Sequence, residues 1–279
     1  MNFVKYHGLG NDFVLLRPGE DAARWFTPER ARAICRRGFG VGGDGLMAVG
    51  ASTAGDVAML LLNSDGSVPE MCGNGIRCFV KFVVDHLGEV RNPLRVETPG
   101  GVRACRWTRG ADGRVATVEV DMGAPSFDRA RIPMSGEGSA LEVALEAEGR
   151  TFVGTGVNTG NPHFVVFGGA ERELARTYGP ALEQHPAFIA GANVEFAAIE
   201  ARDLVRVSVW ERGCGLTEAC GTGATATVAA GVRLGILPIA TPIRAILPGG
   251  QLTIRVDEGF ETAWMEGPAT EVYAGVLTA

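Results

Sequence analysis

The residues that could do chemistry here are two cysteines. Cys72 stands in E-M-C-G-N-G-I-R-C-F (70–79), and Cys220 in A-C-G-T-G-A-T-A (219–226); each is followed by a run of helical character. A thiol at the mouth of a helix faces the unsatisfied backbone N–H groups of the first turn. That field favours the thiolate by about 0.3–1 kcal/mol, up to ~2, which on its own lowers the thiol pKa by roughly one unit. A group titrating near neutrality can serve as both base and acid. The glycines let a ligand approach the amides, which also form a ready site for a carboxylate.

A single cysteine before glycine is ordinarily a buried structural thiol. Two in matching C-G-x-G contexts point instead to one site with a thiol on either side of a carbon. One thiol takes a proton and the other returns one to the opposite face, the logic of a two-base racemase or epimerase. A carboxylate gripped by both helix ends would stabilise the developing negative charge. A Cys–His nucleophile, with His163 as base, is the other option, but it leaves the second cysteine unexplained.

The elements that must position these thiols come in duplicate. G-L-G-N-D-F-V around Asn11 is echoed by T-G-N-P-H-F-V around Asn161, G-G-D-G-L around Asp44 loosely by G-A-N-V-E around Asn193, and Cys72-G-N-G by Cys220-G-T-G, at offsets of 150, 149 and 148 residues. Apolar helices are predicted over 73–87, stopped by Gly88, and over 221–234, stopped by Gly235 with Pro238 beyond. Alternating or β-branched runs at 57–63, 94–98, 115–122, 164–167, 204–210, 251–256 and 262–266 predict short strands. The expected fold class is α+β: two pseudo-symmetric domains, each a curved antiparallel or mixed sheet or barrel around a central helix. The first domain spans 1–123 and carries Cys72, and the tail 266–279 returns to it. The second spans 124–265 and carries Cys220, with the active site expected in the cleft between them.

Composition limits the alternatives. The 279-residue chain has a net charge of −6 with acidic and basic residues interleaved, so no nucleic-acid footprint is read. No signal peptide or membrane span is read, and the cytoplasm is the expected location. The six cysteines form no C-x-x-C pair. Only Lys5 and Lys81 could form a Schiff base with pyridoxal phosphate, and neither has a suitable setting. The four histidines are scattered. Neither a cofactor nor a metal is expected.

With those residues in view, the chain resembles diaminopimelate epimerases. The likeness rests on H-G-L-G-N-D-F (7–13), N-S-D-G-S (63–67), the motif around Cys72, G-N-P-H-F-V (160–165), A-N-V-E-F (192–196) and E-R-G-C-G-L-T-E-A-C-G-T-G-A (211–224). It implies interconversion of LL- and meso-diaminopimelate on the route to lysine and peptidoglycan, without cofactor, by a homodimer. It implies that Cys72 and Cys220 are the acid/base pair, with the α-carboxylate on the amides of Gly73, Asn74, Gly221 and Thr222. Asn11, Asn63, Asn161, Asn193 and Arg212 would hold the remaining groups, Glu211 the amino groups, and His163 with Glu211 would tune the thiols. Each has a plainer alternative: Asn11 and Asn63 suit turns, His163 a satisfied core histidine, Glu211–Arg212 an exposed charge pair. Leu216 stands where the family commonly has Glu, Trp210 where many members have Tyr, and Cys214 is an added thiol. The rival readings are a racemase of another amino acid (histidine or proline type) on the same fold, an isomerase without a thiol pair, and a non-catalytic amino-acid-binding module.

Overall fold

The structure is a computed structural model that describes residues 1–19, 22–69 and 71–278. Glu70, which opens the motif around Cys72, and Ala279, which closes the tail, lie outside the described residues. The chain forms two compact units, Met1–Val120 with Gly267–Ala279, and Asp121–Glu266.

The first unit runs β1 (Asn2–Gly8), β2 (Asn11–Leu16), α1 (Ala22–Trp25), α2 (Pro28–Cys35), β3 (Gly45–Gly50), β4 (Val57–Asn63), α3 (Gly73–Leu87), β5 (Leu94–Thr98), β6 (Gly101–Arg109) and β7 (Val115–Asp121). The second runs β8 (Val143–Ala147), β9 (Arg150–Asn158), β10 (Pro162–Phe167), α4 (Arg172–Glu183), β11 (Asn193–Ala201), β12 (Leu204–Glu211), β13 (Gly215–Leu216), α5 (Gly221–Arg233), β14 (Ile243–Leu247), β15 (Gly250–Val256) and β16 (Ala263–Pro268). The last strand, β17 (Thr270–Val276), pairs antiparallel with β1 in the first unit.

The duplication seen in the motifs extends to the ladders, the short β12–β13 pairing of the second unit apart. β2 lies antiparallel to β1, β3 parallel to β2, β4 antiparallel to β3, β5 parallel to β4, β6 antiparallel to β5 and β7 antiparallel to β6. From β9 through β10, β11, β12, β14 and β15 to β16 the same order of signs recurs. β8 takes the place beside β9 that β17 takes beside β1. The fold is therefore α+β with two pseudo-symmetric domains.

Each sheet wraps a helix. α3 packs on β1, β2 and β6, and α5 on β9, β10, β11, β12, β14 and β15. A helix touched by strands from across one sheet has no exposed face to spare, and any polar side chain in it must find a partner inside. From Gly73 to Val84 α3 is buried at every position, and α5 is buried from Gly221 to Val232. Phe79 and Phe82, both wholly inside, each contribute about 1.5–3 kcal/mol by burial. α5 instead uses small residues, which bring the strands close. Its buried hydroxyls stay bonded: Thr225 and Thr227 donate to the carbonyls of Gly221 and Gly223, each at 2.8 Å.

The predicted helices match α3 and α5 to within a residue, and Gly88 takes the left-handed cap conformation at φ 73°. The seven predicted strands are all present. Three helices were not anticipated, the four-residue α1 among them. α2 carries a legible start signal, Thr27 capping Arg30 N ahead of Pro28. α4 contains Gly179-Pro180, which reads as a break; Gly179 is there because a β-carbon would lie 2.5 Å from the Trp210 side chain. Among the described residues no helix is long and apolar enough to cross a membrane. The two lysines carry structural ion pairs, Lys5 with Asp12 at 2.6 Å and Lys81 with Asp85 at 3.0 Å.

Burial of α3 has an alkaline consequence. Burial pushes the Cys78 thiol up to about 12. The unfolded chain, with an ordinary thiol, gives up this proton earlier, so the folded state binds more protons between those values and stability falls as pH rises. The loss from Cys78 approaches about 1.4 kcal/mol per pH unit. Urea unfolding at pH 8, 9, 10 and 11 is expected to show a shallower alkaline decline for Cys78→Ala than for the unsubstituted chain. Parallel slopes would contradict the burial account.

Candidate active site

Both cysteines occupy the N-cap of a buried helix. Cys72 Sγ accepts from the Gly75 amide at 3.2 Å, and Cys220 Sγ from the Gly223 amide at 3.3 Å. Sulfur here does what a serine or aspartate oxygen usually does for a helix start. The second glycine of each C-G-x-G has a local reason. A β-carbon on Gly75 would lie 2.5 Å from Met47 Cε, and one on Gly223 would lie 2.6 Å from Glu195 Oε1. These two glycines make room for a side chain of their own unit rather than for a ligand.

In the first unit, strand ends bring Asn11, Asp44 and Asn63 to the same edge as Cys72. β2 opens with Asn11, and Gly45, which follows Asp44, pairs with Asn63 at the end of β4. A chain of hydrogen bonds with fixed direction ties them together. Arg77, wholly buried in α3, donates to Asn74 Oδ1 at 3.0 Å and to the Gly73 carbonyl at 2.9 Å. Asn74 Nδ2 donates to Asn11 Oδ1 at 3.4 Å, and Asn11 Nδ2 donates to Asp44 Oδ2 at 2.7 Å. Arg37 closes the far end on Asp44 and Asp12. An arginine can only donate and a carboxylate only accept, so both amides have one possible sense. Asn11 Oδ1 is thereby aimed at the Cys72 thiol, 3.8 Å away. Burial alone would raise Asp12, but hydrogen bonds from Arg37 and Lys5 hold it at about 2; desolvation pushes the Arg77 guanidinium down to about 10.

In the second unit the corresponding positions are filled differently. Asn161 Oδ1 lies 2.7 Å from His163 Nε2, and His163 Nδ1 lies 2.7 Å from Glu195 Oε1, with His163 and Glu195 both wholly buried. Asn193 donates to the Pro162 carbonyl at 2.8 Å and accepts from the Arg212 amide at 3.0 Å. Glu211 accepts from Thr217 Oγ1 at 2.5 Å and interacts with Cys220. Thr222 Oγ1 lies 3.3 Å from Cys220 Sγ.

The helix end does not decide the state of Cys220. The sequence led us to expect a lowered thiol pKa, and the structure reverses that expectation. Burial raises Cys220 well above the ordinary thiol range, the carboxylates of Glu211 and Glu195 add to the rise, and the bonds from Thr222 and Gly223 offset only part of it. The helix contribution of up to ~2 kcal/mol is outweighed because desolvating a thiolate beside two carboxylates costs more. Burial likewise raises Glu211 above the usual carboxylate range.

The structure thus gathers Asn11, Gly73, Asn74 and Cys72 in the first unit. It gathers Asn161, His163, Asn193, Glu211, Arg212, Cys220, Gly221 and Thr222 in the second. Asn63 is tied to a turn, donating to Ser67 Oγ at 2.9 Å. The Arg212 side chain, half-buried, donates to the Ala190 carbonyl at 3.2 Å. Leu216, where the family commonly has a charge, lies across the ladder from Trp210, and both join the apolar cluster of the second unit. Arg77, Asp44 and Glu195 were not anticipated as site residues. Asp44 lies among glycines just before β3, where sequence alone reads a turn, and Glu195 is a charge within the apolar run of β11, which was the available signal.

The α+β fold of two pseudo-symmetric domains, each with a central helix, is shared with solved structures. A probable proline racemase from Agrobacterium radiobacter K84 superposes with a TM-score of 0.72 at 16% identity, covering 99% of this chain and 92% of that one. A PhzF-family phenazine biosynthesis protein from Bacillus anthracis does so at 0.66 and 15%, covering 100% and 99%. At such identities the likeness concerns the fold. The diaminopimelate epimerase family model matches residues 3–127 and 155–272. Proteins named diaminopimelate epimerase from Moorella thermoacetica and Desulfitobacterium hafniense are each 44% identical over 99% of this chain and 98% of their own length. The chain belongs to the diaminopimelate epimerase family.

The glycine contacts make a testable distinction. Met47 Cε is the free end of a flexible chain, whereas Glu195 is held by His163. Gly223→Ala is therefore expected to lower stability by about 1–3 kcal/mol and Gly75→Ala by less, measured by chemical denaturation. Equal losses would show that Glu195 is not held in place.

Proposed function

We infer that this protein interconverts LL- and meso-2,6-diaminopimelate, with Cys72 and Cys220 as the acid/base pair. The observation that carries the reading is the duplicated thiol cap, found in a chain whose relatives of more than 40% identity are named for that reaction. One thiolate takes the α-proton as the C–H bond breaks, and the electron pair is left on the α-carbon and its carboxylate. The other thiol gives its proton to the opposite face, so the two sulfurs exchange protonation states in each turnover. Burial and the neighbouring Glu211 and Glu195 disfavour the Cys220 thiolate.

The amides of Gly73, Asn74, Gly221 and Thr222 suit the α-carboxylate, since helix first turns offer N–H groups and a favourable field. Asn11, Asn63, Asn161, Asn193 and Arg212 would hold the remaining polar groups, and Glu211 an ammonium. The expected partner is the amino-acid substrate, the expected assembly a homodimer and the expected location the cytoplasm. The reading as a racemase of another amino acid is not favoured, because the proline racemase likeness stands at 16% identity.

The test is solvent exchange. Reduced protein in D2O is expected to deuterate the α-carbon of LL-diaminopimelate and form the meso isomer, with no exchange into proline or histidine, as followed by proton NMR. Cys72→Ala and Cys220→Ala should each lower epimerisation by about 10²–10⁴-fold. Full activity in either variant would remove the two-thiol mechanism; exchange into proline or histidine alone would overturn the substrate.

A further inference from the structure

The two units share a frame but differ beneath the capped helix. By the offsets of the repeat, His163 corresponds to Phe13 (163 − 13 = 150) and Glu195 to Met47 (195 − 47 = 148). The backbone agrees, since Phe13 pairs with Gly45 on the parallel neighbour and His163 with Asn193. The glycines agree as well: Met47 Cε abuts Gly75 where Glu195 Oε1 abuts Gly223. One unit thus places an apolar pair beneath its capped helix and the other a buried His–Glu pair, an ion pair when the ring is doubly protonated.

A buried ion pair is weak as a stabilising device, because desolvation offsets much of its attraction. The first unit demonstrates that this sheet and helix accommodate Phe and Met at the same places. Glu195 also leaves Oε2 buried without a hydrogen bond. So costly an arrangement calls for a role beyond folding.

That role can be read from the asparagines. In the first unit Asp44 accepts from Asn11 Nδ2, so Asn11 turns its oxygen toward Cys72. In the second unit the sense is opposite. His163 Nε2 faces Asn161 Oδ1, which leaves the Asn161 Nδ2 group to donate. With both ring nitrogens facing oxygens at 2.7 Å, the doubly protonated ring satisfies both contacts. A neutral ring bonded to Glu195 through Nδ1–H would present a bare Nε2, and the Asn161 amide would have to turn over. The other titratable groups that sense this pair are Glu211 at the end of β12 and Cys220 at the cap of α5.

We propose that Glu195 is a positioning residue: it holds His163 as the imidazolium and thereby fixes the Asn161 amide as a hydrogen-bond donor, where Asp44 fixes Asn11 as an acceptor. The donor suits a substrate carboxylate. This deepens the reading of Asn161 as a substrate contact and rests on it.

The test is 15N NMR of histidine-labelled protein at neutral pH, with kinetics on LL-diaminopimelate. The His163 resonances are assigned by their loss in a His163→Phe/Glu195→Met double variant, which copies the first unit. In the unsubstituted protein both ring nitrogens of His163 should be protonated. In Glu195→Gln one should lose its proton, and kcat/KM should fall by about 10–100-fold, mainly through KM, as expected when a bond to a charged group is lost. The double variant should fold and lose kcat/KM at least as much, so the outcome does not depend on Glu195→Gln folding. A single protonated nitrogen in the unsubstituted protein would overturn the proposal, as would a folded Glu195→Gln, or a double variant, with unchanged kcat/KM. The NMR arm does not depend on turnover, so failure of the two-thiol mechanism, read from the cysteine variants, is distinguishable from failure of this proposal.

Discussion

The contact on which the rest depends is a sulfur atom accepting a backbone N–H at the start of a buried helix. The first turn of any helix has amides without intrahelical partners, and a fully buried helix cannot leave them all to water. At Cys72 and Cys220 the thiol takes one, from Gly75 and Gly223. The remaining first-turn amides stay aimed outward from the helix end. The cap is thus a structural part of the helix start that also holds the thiol in one place.

Placing that cap requires a helix enclosed by its sheet, which dictates what the helix can be made of. α5 meets strands from β9 to β15 and consists largely of Ala, Gly, Thr and Val. α3 uses Phe, Ile and Val, with one buried arginine whose guanidinium is spent on the Gly73 carbonyl and the Asn74 side chain. Arg77 therefore joins the helix start to the amide network that orients Asn11. Its depressed pKa follows from desolvation, and the hydrogen bonds keep the buried charge tolerable.

The same frame serves two different electrostatic settings. In the first unit, charges gather behind Asn11, where Arg37 and Lys5 neutralise Asp12 and Arg37 also meets Asp44. In the second, burial together with Glu211 and Glu195 raises the Cys220 thiol above its ordinary range. The backbone amides at the two helix mouths are alike. What stands under them is not.

The sequence by itself determined the duplication, both central helices, the strands with clean alternation and the two thiols. Those features are local: they follow from spacing, from glycine stops and from apolar runs. It also marked Asn11, Asn161, His163, Asn193, Glu211 and Arg212 through motifs. It did not determine the state of Cys220, because a helix-end field is legible in a motif whereas desolvation depends on every residue packed around the sulfur. Nor did it reveal the contacts of Asp44 or Glu195, since these rest on partners at a distance: Asn11 for Asp44 and His163 for Glu195. Only the tertiary structure decided which way each asparagine amide faces. For Asn11 that sense is fixed by Asp44 and Asn74, brought against it from elsewhere in the chain, and for Asn161 by His163, itself bonded to Glu195 on the neighbouring strand.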